Sequence, residues 1–439
     1  MRKALRGLSV ALCALVLVAP SALAAESLPD PSSSGSPWTS VNAGSGSAPT
    51  AAGVRQQINE LARSNALRRS GVIVIDPGSG QVLFDKQAKR PLIPASTVKI
   101  LTAAAALESL GSTSRLETKT AQQGNVVYLI GGGDATLPRT LKTDSQAAGP
   151  ASLRRLARAT ASALETSANI ELVFDDSLFT GRELGPGWPQ GFPAAGVVAP
   201  VSALMVDQGR RNASSRARVA DPARQAAQAF ARLLSRQGIE VQKISRGTAP
   251  STASELARVE SATMTEIVNA MLTDSDNDVA ESLGHLVGAA VVGEGSFAGG
   301  AQAMTQILSR AGIDTQGMQL VDASGLSGRN KVAPATIAAV LVDVVQGKKW
   351  SAIAQGLAVA GVNGTLANRF TTRATAPGRG VVRAKTGTLT GVGSLAGTVV
   401  DKDRRPLVFA VVGNNVRSQA QARDTMDRIA SRLAECGCR

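Results

Sequence analysis

Aromatic residues, histidine and cysteine are scarce in this chain of 439 residues. Aromatic residues make up 3% of the sequence, so few side chains could stack on bases, and we expect no nucleic-acid binding. The chain has one histidine, His285, and three cysteines, Cys13, Cys436 and Cys438. These are too few for a zinc site, so we predict no metal and no cofactor. The two terminal cysteines could join each other, join two chains or stay reduced.

Long apolar runs are also missing, since no stretch reaches the roughly 18 residues that cross a bilayer. The N-terminus has a shorter run, from Leu8 to Ala19, which follows three cations and precedes the small-residue site at Ala22 to Ala24. This pattern predicts a signal peptide over residues 1–24, removed on secretion. We therefore expect no transmembrane anchor after cleavage, and a location in the periplasm or on the exterior of the cell wall.

Acidic residues are outnumbered, with 33 Asp and Glu against 47 Lys and Arg, which gives a formal net charge of +14. Such a chain is attracted to polyanions. For a secreted protein the anionic cell envelope is the expected partner, and a charge that serves only solubility is the alternative.

The remaining chain divides by composition. Residues 25–53 are rich in Ser, Gly, Pro and Ala and predict a disordered tail. A helix is predicted from Val54 to Arg69, followed by a β-hairpin, and a helix from Ser96 to Leu110. Residues 118–254 change to short strand-like pieces and glycine clusters, which indicates an inserted accessory region. We predict a discontinuous catalytic domain, residues 54–117 plus 255–439, with an α/β (α+β) sandwich fold.

Nucleophilic catalysis here needs a base other than histidine. His285 lies in an Ala- and Val-rich helical stretch, so a Ser-His-Asp triad is not expected. A lysine that can be held neutral is the alternative base. In the segment from Pro94 to Lys99, Ser96 and Lys99 are three residues apart and would share one face of a helix. The spacing predicts Ser96 as nucleophile and Lys99 as its base.

Two further motifs follow in the chain. Lys385-Thr386-Gly387 occurs once and enters a run that can form an edge strand beside the catalytic helix. Ser-x-Asn occurs at Ser40, at Ser167 and at Ser275. The first precedes the nucleophile in the predicted tail, and the second joins a helix to a strand of the insert. Ser275-Asp276-Asn277 lies between helical segments, and we select it.

The order Ser-x-x-Lys, Ser-x-Asn, Lys-Thr-Gly resembles that of penicillin-binding proteins and serine β-lactamases. The chain is similar above all to the class C low-molecular-mass penicillin-binding proteins, which are D-alanyl-D-alanine carboxypeptidases and endopeptidases. Further stretches that resemble this family are Pro91 to Lys99, Gly133 to Leu137, Val201 to Leu204, Ser275 to Glu281, Ser324 to Ser327 with Asn330, and Asn363 to Leu366. The resemblance implies a penicillin-binding/serine β-lactamase-like sandwich, with an antiparallel sheet flanked by helices. The insert is shorter than the two accessory domains of the family, so we do not expect both to be complete.

The resemblance also implies the substrate and the roles of the site residues. Peptidoglycan D-Ala-D-Ala stem peptides would acylate the serine, and β-lactams would inhibit it covalently. The predicted catalytic residues are Ser96, Lys99, Ser275, Asn277 and Lys385. The predicted substrate-binding residues are Thr386, Gly387, Thr388 and, again, Asn277.

Other functions remain as alternatives. One is a non-catalytic wall-binding scaffold, although a scaffold has no need of the three motifs. The others are a β-lactamase or a transpeptidase. A class A β-lactamase would need a Glu-x-x-x-Asn after the second motif, and the only such spacing, Glu165 to Asn169, precedes it. The sequence leaves open whether carboxypeptidase or endopeptidase activity dominates, and it leaves the oligomeric state open.

Overall fold

The computed structural model describes residues 48–141, 151–164, 169–212 and 214–438. The predicted signal peptide, most of the predicted tail and Glu165 lie outside these ranges. Within them, no helix is long and apolar enough to cross a membrane. The C-terminal cysteines Cys436 and Cys438 are joined to each other by a disulfide bond.

The first helix differs at both ends from the prediction. It begins at Ala51, so residues 51–53 of the predicted tail are helical, and it ends at Ala62 rather than Arg69. Thr50 sets the start, because its hydroxyl accepts a hydrogen bond from the N–H of Gly53 at 3.0 Å and so caps the first turn. Arg69 already belongs to the first strand.

The described residues contain eleven strands and eleven α-helices, numbered in chain order. The strands are β1 Arg69–Ile75, β2 Val82–Lys86, β3 Arg115–Gln123, β4 Val126–Ile130, β5 Asn169–Asp175, β6 Glu240–Arg246, β7 Ser254–Thr263, β8 Ala358–Val359, β9 Val382–Leu389, β10 Val392–Val400 and β11 Pro406–Asn414. The helices are α1 Ala51–Ala62, α2 Lys99–Leu110, α3 Leu153–Ala163, α4 Phe192–Ala195, α5 Pro222–Ser235, α6 Met264–Asp274, α7 Asn277–Val292, α8 Phe297–Arg310, α9 Pro334–Val345, α10 Ile353–Gly356 and α11 Gln419–Ala434.

The first sheet is antiparallel throughout, in the order β2-β1-β11-β10-β9-β8. Its alternate residues face opposite layers. Ile73 and Ile75 pack with α2 and the other helices of the central region, whereas Val72 and Val74 pack with the terminal helices α1 and α11. Because both faces are covered, the inner strands β1, β10 and β11 are buried along nearly all their length. The sheet between two helical layers is the predicted sandwich.

The second sheet has the order β6-β5-β4-β3-β7 and spans residues 115–263 of the chain. Its strands β4, β5 and β6 are parallel, and β3 is antiparallel to both of its neighbours. Helices α3 and α5 cover one face with a core of their own. We propose that this unit is the inserted accessory domain, with predicted limits at residues 118 and 254.

Candidate active site

Ser96 lies at the entrance to helix α2, in a single 3₁₀ turn from Ala95 to Val98. The turn is anchored by Thr97, whose hydroxyl donates to the carbonyl of Pro94 at 2.7 Å. A second loop crosses close by at Gly325, which has φ +84°, and a Cβ there would lie 3.0 Å from the amide nitrogen of Ser96. Glycine is therefore required at this position to let the two backbones approach. Ser96 is half-buried at the bottom of this crossing.

Lys99 is fully buried and is held by three acceptors from three segments of the chain. Its Nζ donates to Ser96 Oγ at 3.1 Å, to Asn277 Oδ1 at 2.8 Å and to the carbonyl of Ser324 at 2.7 Å. Burial lowers the pKa of Lys99 to about 8, against the opposing effect of nearby carboxylates, of which Glu281 has the largest effect. The group is thus poised to exchange a proton with the serine near neutral pH.

The second motif connects helices α6 and α7. Ser275 ends α6 in a left-handed conformation with φ 60°, and Asp276 caps α7, whose first residue is Asn277. The side-chain amide of Asn277 makes two hydrogen bonds. Its Oδ1 accepts from Lys99, and its Nδ2 donates to the carbonyl of Val197 at 2.9 Å. Among the described residues, the Ser275 hydroxyl makes no hydrogen bond to the other predicted site residues. The structure therefore brings Asn277, but not Ser275, into contact with Lys99.

The third motif lies on strand β9, which faces the nucleophile. Lys385 is fully buried, and its Nζ donates to the carbonyl of Thr386 at 2.9 Å. Burial and the charge of Lys99 lower the pKa of Lys385 well below its usual value. A Cβ at Gly387 would lie 2.9 Å from the amide nitrogen of Ser96, so only glycine lets the strand approach so closely.

Two threonines of β9 offer hydroxyl groups beside this lysine. Thr386 is half-buried and donates from Oγ1 to Thr365 Oγ1 at 3.0 Å, whereas Thr388 is exposed. Together with Lys385 they give one wall of the site a cation and two hydroxyls. Such a set can bind a carboxylate.

A loop that sequence reasoning did not assign to the site completes the surroundings of Lys99. Glu281, buried in α7, accepts hydrogen bonds from the amides of Ala323 and Ser324 at 3.2 and 2.8 Å. Asp322 accepts from the amide of Gly325 at 2.9 Å and from other groups of the same loop. These bonds fix the Ser324 carbonyl that binds Lys99. The stretch from Ser324 to Ser327 resembles the family, and this resemblance is the available sequence signal, but it does not indicate a role for the carbonyl of Ser324.

The insert side of the molecule also contacts the second motif. Arg218 and Asp278 form a buried ion pair at 2.7 Å, and Asp278 also accepts from the amide of Ala199 at 2.6 Å. Gln208 donates from Nε2 to Asp276. These contacts, with the carbonyl bound by Asn277, attach the loop over residues 197–218 to the start of α7.

Among the described residues, His285 makes no hydrogen bond to any of the predicted site residues. It is buried between the rings of Phe179 and Phe297, and its Nδ1 lies 2.9 Å from the carbonyl of Glu281. Burial lowers its pKa to about 4, so it is neutral at physiological pH. The structure gives this residue a packing role, in agreement with the sequence-based interpretation.

Comparison with known proteins identifies the relatives of this arrangement. The model of the D-Ala-D-Ala carboxypeptidase 3 (S13) family matches residues 54–217 and 211–436. The chain belongs to this family. A carboxypeptidase of Mycobacterium tuberculosis is 35% identical over 402 residues, which cover 89% of this chain and 85% of the relative. The D-alanyl-D-alanine carboxypeptidase of an Actinomadura species is 31% identical over an alignment 474 positions long, which covers 87% of this chain and 84% of the relative. The predicted family and the predicted enzyme class, a carboxypeptidase, are confirmed.

Solved structures agree on the fold of this S13 family member. Penicillin binding protein 4 of Haemophilus influenzae superposes with a TM-score of 0.70 at 22% identity, covering 87% of this chain and 98% of the other. The same protein is also known in complex with a β-lactam, with a TM-score of 0.64 at 24% identity. A predatory endopeptidase of Bdellovibrio bacteriovorus gives 0.52 at 18% identity, covering 83% and 91%. The predicted penicillin-binding type of sandwich is confirmed.

Proposed function

We propose that this protein is a secreted serine D-Ala-D-Ala carboxypeptidase and endopeptidase that cuts peptidoglycan stem peptides through an acyl-enzyme on Ser96. The observation that carries the proposal is the buried ammonium of Lys99, 3.1 Å from Ser96 Oγ and 2.8 Å from Asn277 Oδ1. Burying a lysine is costly, and a wall-binding scaffold would gain nothing from it. A nucleophile beside a base of lowered pKa is instead what acyl transfer requires.

Acylation begins with the removal of a proton from Ser96. Neutral Lys99 takes this proton as Oγ attacks the carbonyl of the penultimate D-Ala. We assign the oxyanion to the N–H groups of Ser96 and Thr388, the second by resemblance to the family. The close approach of β9 to Ser96 at Gly387 supports this assignment, because it brings the two segments to one side of the substrate.

The substrate itself would help to produce the neutral base. The charge of Lys99 lowers the proton affinity of Lys385, because two like charges are unfavourable in a buried site. A substrate carboxylate bound beside Lys385 favours the proton on Lys385. Lys99 then loses its proton more readily and can accept the one from Ser96.

The remaining steps use the rest of the three motifs. Lys385, with the hydroxyls of Thr386 and Thr388, holds the terminal carboxylate, and Asn277 binds the substrate amide and steadies Lys99. Ser275 relays a proton to the departing amine. Water then hydrolyses the acyl-enzyme.

The proposal also covers inhibition by β-lactams and the location of the enzyme. A β-lactam would acylate Ser96 in place of the peptide, and the known β-lactam complex of the Haemophilus influenzae protein supports this. The signal sequence predicted at residues 1–24 would deliver the enzyme to the periplasm or the wall exterior. Loss of the three cations of the signal peptide would reduce the net charge from +14 to +11, which would still favour the anionic envelope.

The experiment that tests the proposal is covalent labelling with a fluorescent penicillin. Wild type should label stably at Ser96, as shown by peptide mass mapping, and Ser96→Ala should not label. Ser109→Ala is a matched control, because Ser109 lies near the far end of helix α2 and, among the described residues, its hydroxyl bonds only to the carbonyl of Ala105. Release of D-Ala from a short D-Ala-D-Ala peptide would then establish turnover. A folded wild type that neither labels nor releases D-Ala would contradict the proposal and favour the scaffold.

A further inference from the structure

A concave pocket of about 580 Å³ lies at one end of the first sheet, outside the site described above. It is formed by the loop between α1 and β1 and by the loop between β11 and α11. Its lining includes Arg68, Arg69 and Arg417, together with the amide side chains of Asn65 and Asn415. All five residues are exposed. The pocket therefore presents three cations and several hydrogen-bond donors to solvent.

No carboxylate balances this charge. None of the residues that line the pocket is Asp or Glu. Across residues 48–141, 151–164, 169–212 and 214–438, Arg68, Arg69 and Arg417 take part in no ion pair. A fourth cation, Lys331, is close enough for the charge of Arg69 to lower its pKa, although burial has the larger effect. Arg218, by contrast, is paired with a buried carboxylate. An unbalanced cluster repels itself, and a bound anion would remove that repulsion.

The backbone holds these arginines in fixed positions. Arg69 is the first residue of β1 and pairs with Asn414 of β11. Arg68 precedes Arg69 and has φ +42°, and Asn415 follows Asn414 and has φ +55°. Both therefore occupy the left-handed region, in which the chain turns sharply. Arg417 directly precedes the cap of helix α11. The pocket is consequently built on strand and helix ends rather than on a long loop.

The pocket is connected to the catalytic wall at two points. The amide of Val416 donates to the carbonyl of Gly391 at 2.9 Å, and Gly391 lies in the turn just beyond Thr388. The side chain of Asn414 bonds both the amide and the carbonyl of Ile93, at 2.9 and 3.0 Å, three residues before the nucleophile. From the reach of the chain, the pocket and Ser96 are on the order of 20 Å apart. About six extended residues span that distance.

We propose that this three-arginine pocket binds the carboxylates of an acidic peptide that is joined to the scissile stem peptide, as in cross-linked peptidoglycan. The inference rests on the proposed function, because it places the second peptide of the same substrate. Arginine forks bind carboxylates in a bidentate manner, and three of them can hold more than one carboxylate. The pocket would thus favour cross-linked, acidic substrates over short neutral ones.

The test compares Arg68→Gln/Arg69→Gln/Arg417→Gln with wild type on three substrates. These are an acidic cross-linked dimer of stem peptides, the same dimer with its carboxylates outside the scissile D-Ala-D-Ala amidated, and a short neutral N-acylated peptide ending in D-Ala-D-Ala. We expect kcat/KM on the acidic dimer to fall about tenfold, mainly through KM, with less than about twofold change on the other two. A matched control, Arg232→Gln/Arg236→Gln/Arg310→Gln, removes the same charge from exposed positions away from the pocket and should leave all three substrates unchanged.

Several outcomes would overturn the proposal. If the triple variant loses kcat/KM equally on the acidic and amidated dimers, or loses none on either, the pocket does not bind the carboxylates of the substrate. Cosedimentation with cell walls, before and after removal of their phosphate polymers, tests the rival ligand: binding that needs both the arginines and the phosphate assigns the pocket to a phosphate polymer. If wild type fails to cleave even the neutral peptide, the proposed function fails. Binding to the pocket is then measured by calorimetric titration of the acidic dimer into Ser96→Ala and into Ser96→Ala that also carries the three Arg→Gln substitutions. Equal affinity of the two proteins would overturn the proposal for the pocket.

Discussion

The two walls of the site differ in how completely their lysines are bound. On the helical wall, Lys99 Nζ donates to Ser96, Asn277 and the carbonyl of Ser324. On the strand wall, Lys385 Nζ has one acceptor among the described residues, its neighbour's carbonyl. Both side chains are fully buried. An ammonium group has three N–H donors, so Lys99 is saturated and Lys385 keeps two. We infer that the helical wall is complete in the free protein and that the substrate completes the strand wall.

Removing the saturated lysine should have the largest effect. We predict that Lys99→Met lowers the rate constant for acylation by fluorescent penicillin by about 10³-fold or more, because methionine cannot accept the serine proton and leaves the three acceptors of Lys99 without this donor. Lys348→Met, an exposed position, is the control and should react like wild type. Stopped-flow labelling measures the rate, and a thermal melt checks folding. A folded Lys99→Met that reacts within tenfold of wild type would show that another group is the base.

The unsaturated lysine should matter only when the substrate carries a carboxylate. We predict that Lys385→Met lowers kcat/KM about 10³-fold on a peptide acid ending in D-Ala-D-Ala. The C-terminal amide of the same peptide already lacks the charge, so its slower cleavage should change by less than about threefold. D-Ala or D-alaninamide release measures both. Equal losses on acid and amide would mean that Lys385 supports the helical wall instead of the carboxylate.

The sequence allowed the prediction of those contacts that depend on short spacing. Ser96 and Lys99 are three residues apart, and this spacing predicts that their side chains meet. The approach of strand β9 to Ser96 at Gly387 follows from the prediction that Lys385-Thr386-Gly387 enters a strand beside the catalytic helix. The Ser324 carbonyl could not be predicted, because it comes from a loop 225 positions away and leaves no periodic signal. Glu281 ends a stretch that resembles the family, but its role could not be predicted, since its partners are backbone amides of a distant loop.

Element boundaries show the same limit for the fold. Strand β10 begins at Val392 and is buried along almost all its length, although its sequence is rich in small residues. The glycine and serine residues at the start of β10 are typical of a loop, but this segment pairs with β9 on one side and with β11 on the other. Likewise, the predicted first helix continued past Ala62, because no glycine or proline marks its end before Arg69. Tertiary pairing, rather than local composition, determines both boundaries.

The attachment of the insert side to the helical wall provides a test of smaller effect on catalysis. We predict that Arg218→Met destabilises the protein by about 3–5 kcal/mol, because it leaves the buried carboxylate of Asp278 unpaired. Acylation at 25 °C should slow by about tenfold as the start of α7 loosens. Arg428→Met breaks an exposed pair with Asp424 and should cost less than about 1 kcal/mol. Urea denaturation measures both. Restored stability in Arg218→Met/Asp278→Leu would confirm that the unpaired charge is the cause, and equal losses at Arg218 and Arg428 would contradict it.

The smallest expected effect concerns the charge behind the saturated lysine. The carboxylate of Glu281 raises the pKa of Lys99, while burial lowers it to about 8. Burial also raises the pKa of Glu281 itself to about 8, so its negative charge is fully present only above that pH. The base must be neutral, so kcat/KM should rise with pH through a limb near pH 8 in wild type. Glu281→Gln removes the negative charge, so the pKa of Lys99 falls and the limb moves to lower pH, with at most about a threefold change in the plateau. Glu260→Gln, at an exposed position, is the control. An unmoved limb in Glu281→Gln would mean that Glu281 is itself protonated in the free enzyme, and that the helical wall holds Lys99 by hydrogen bonds without help from that charge.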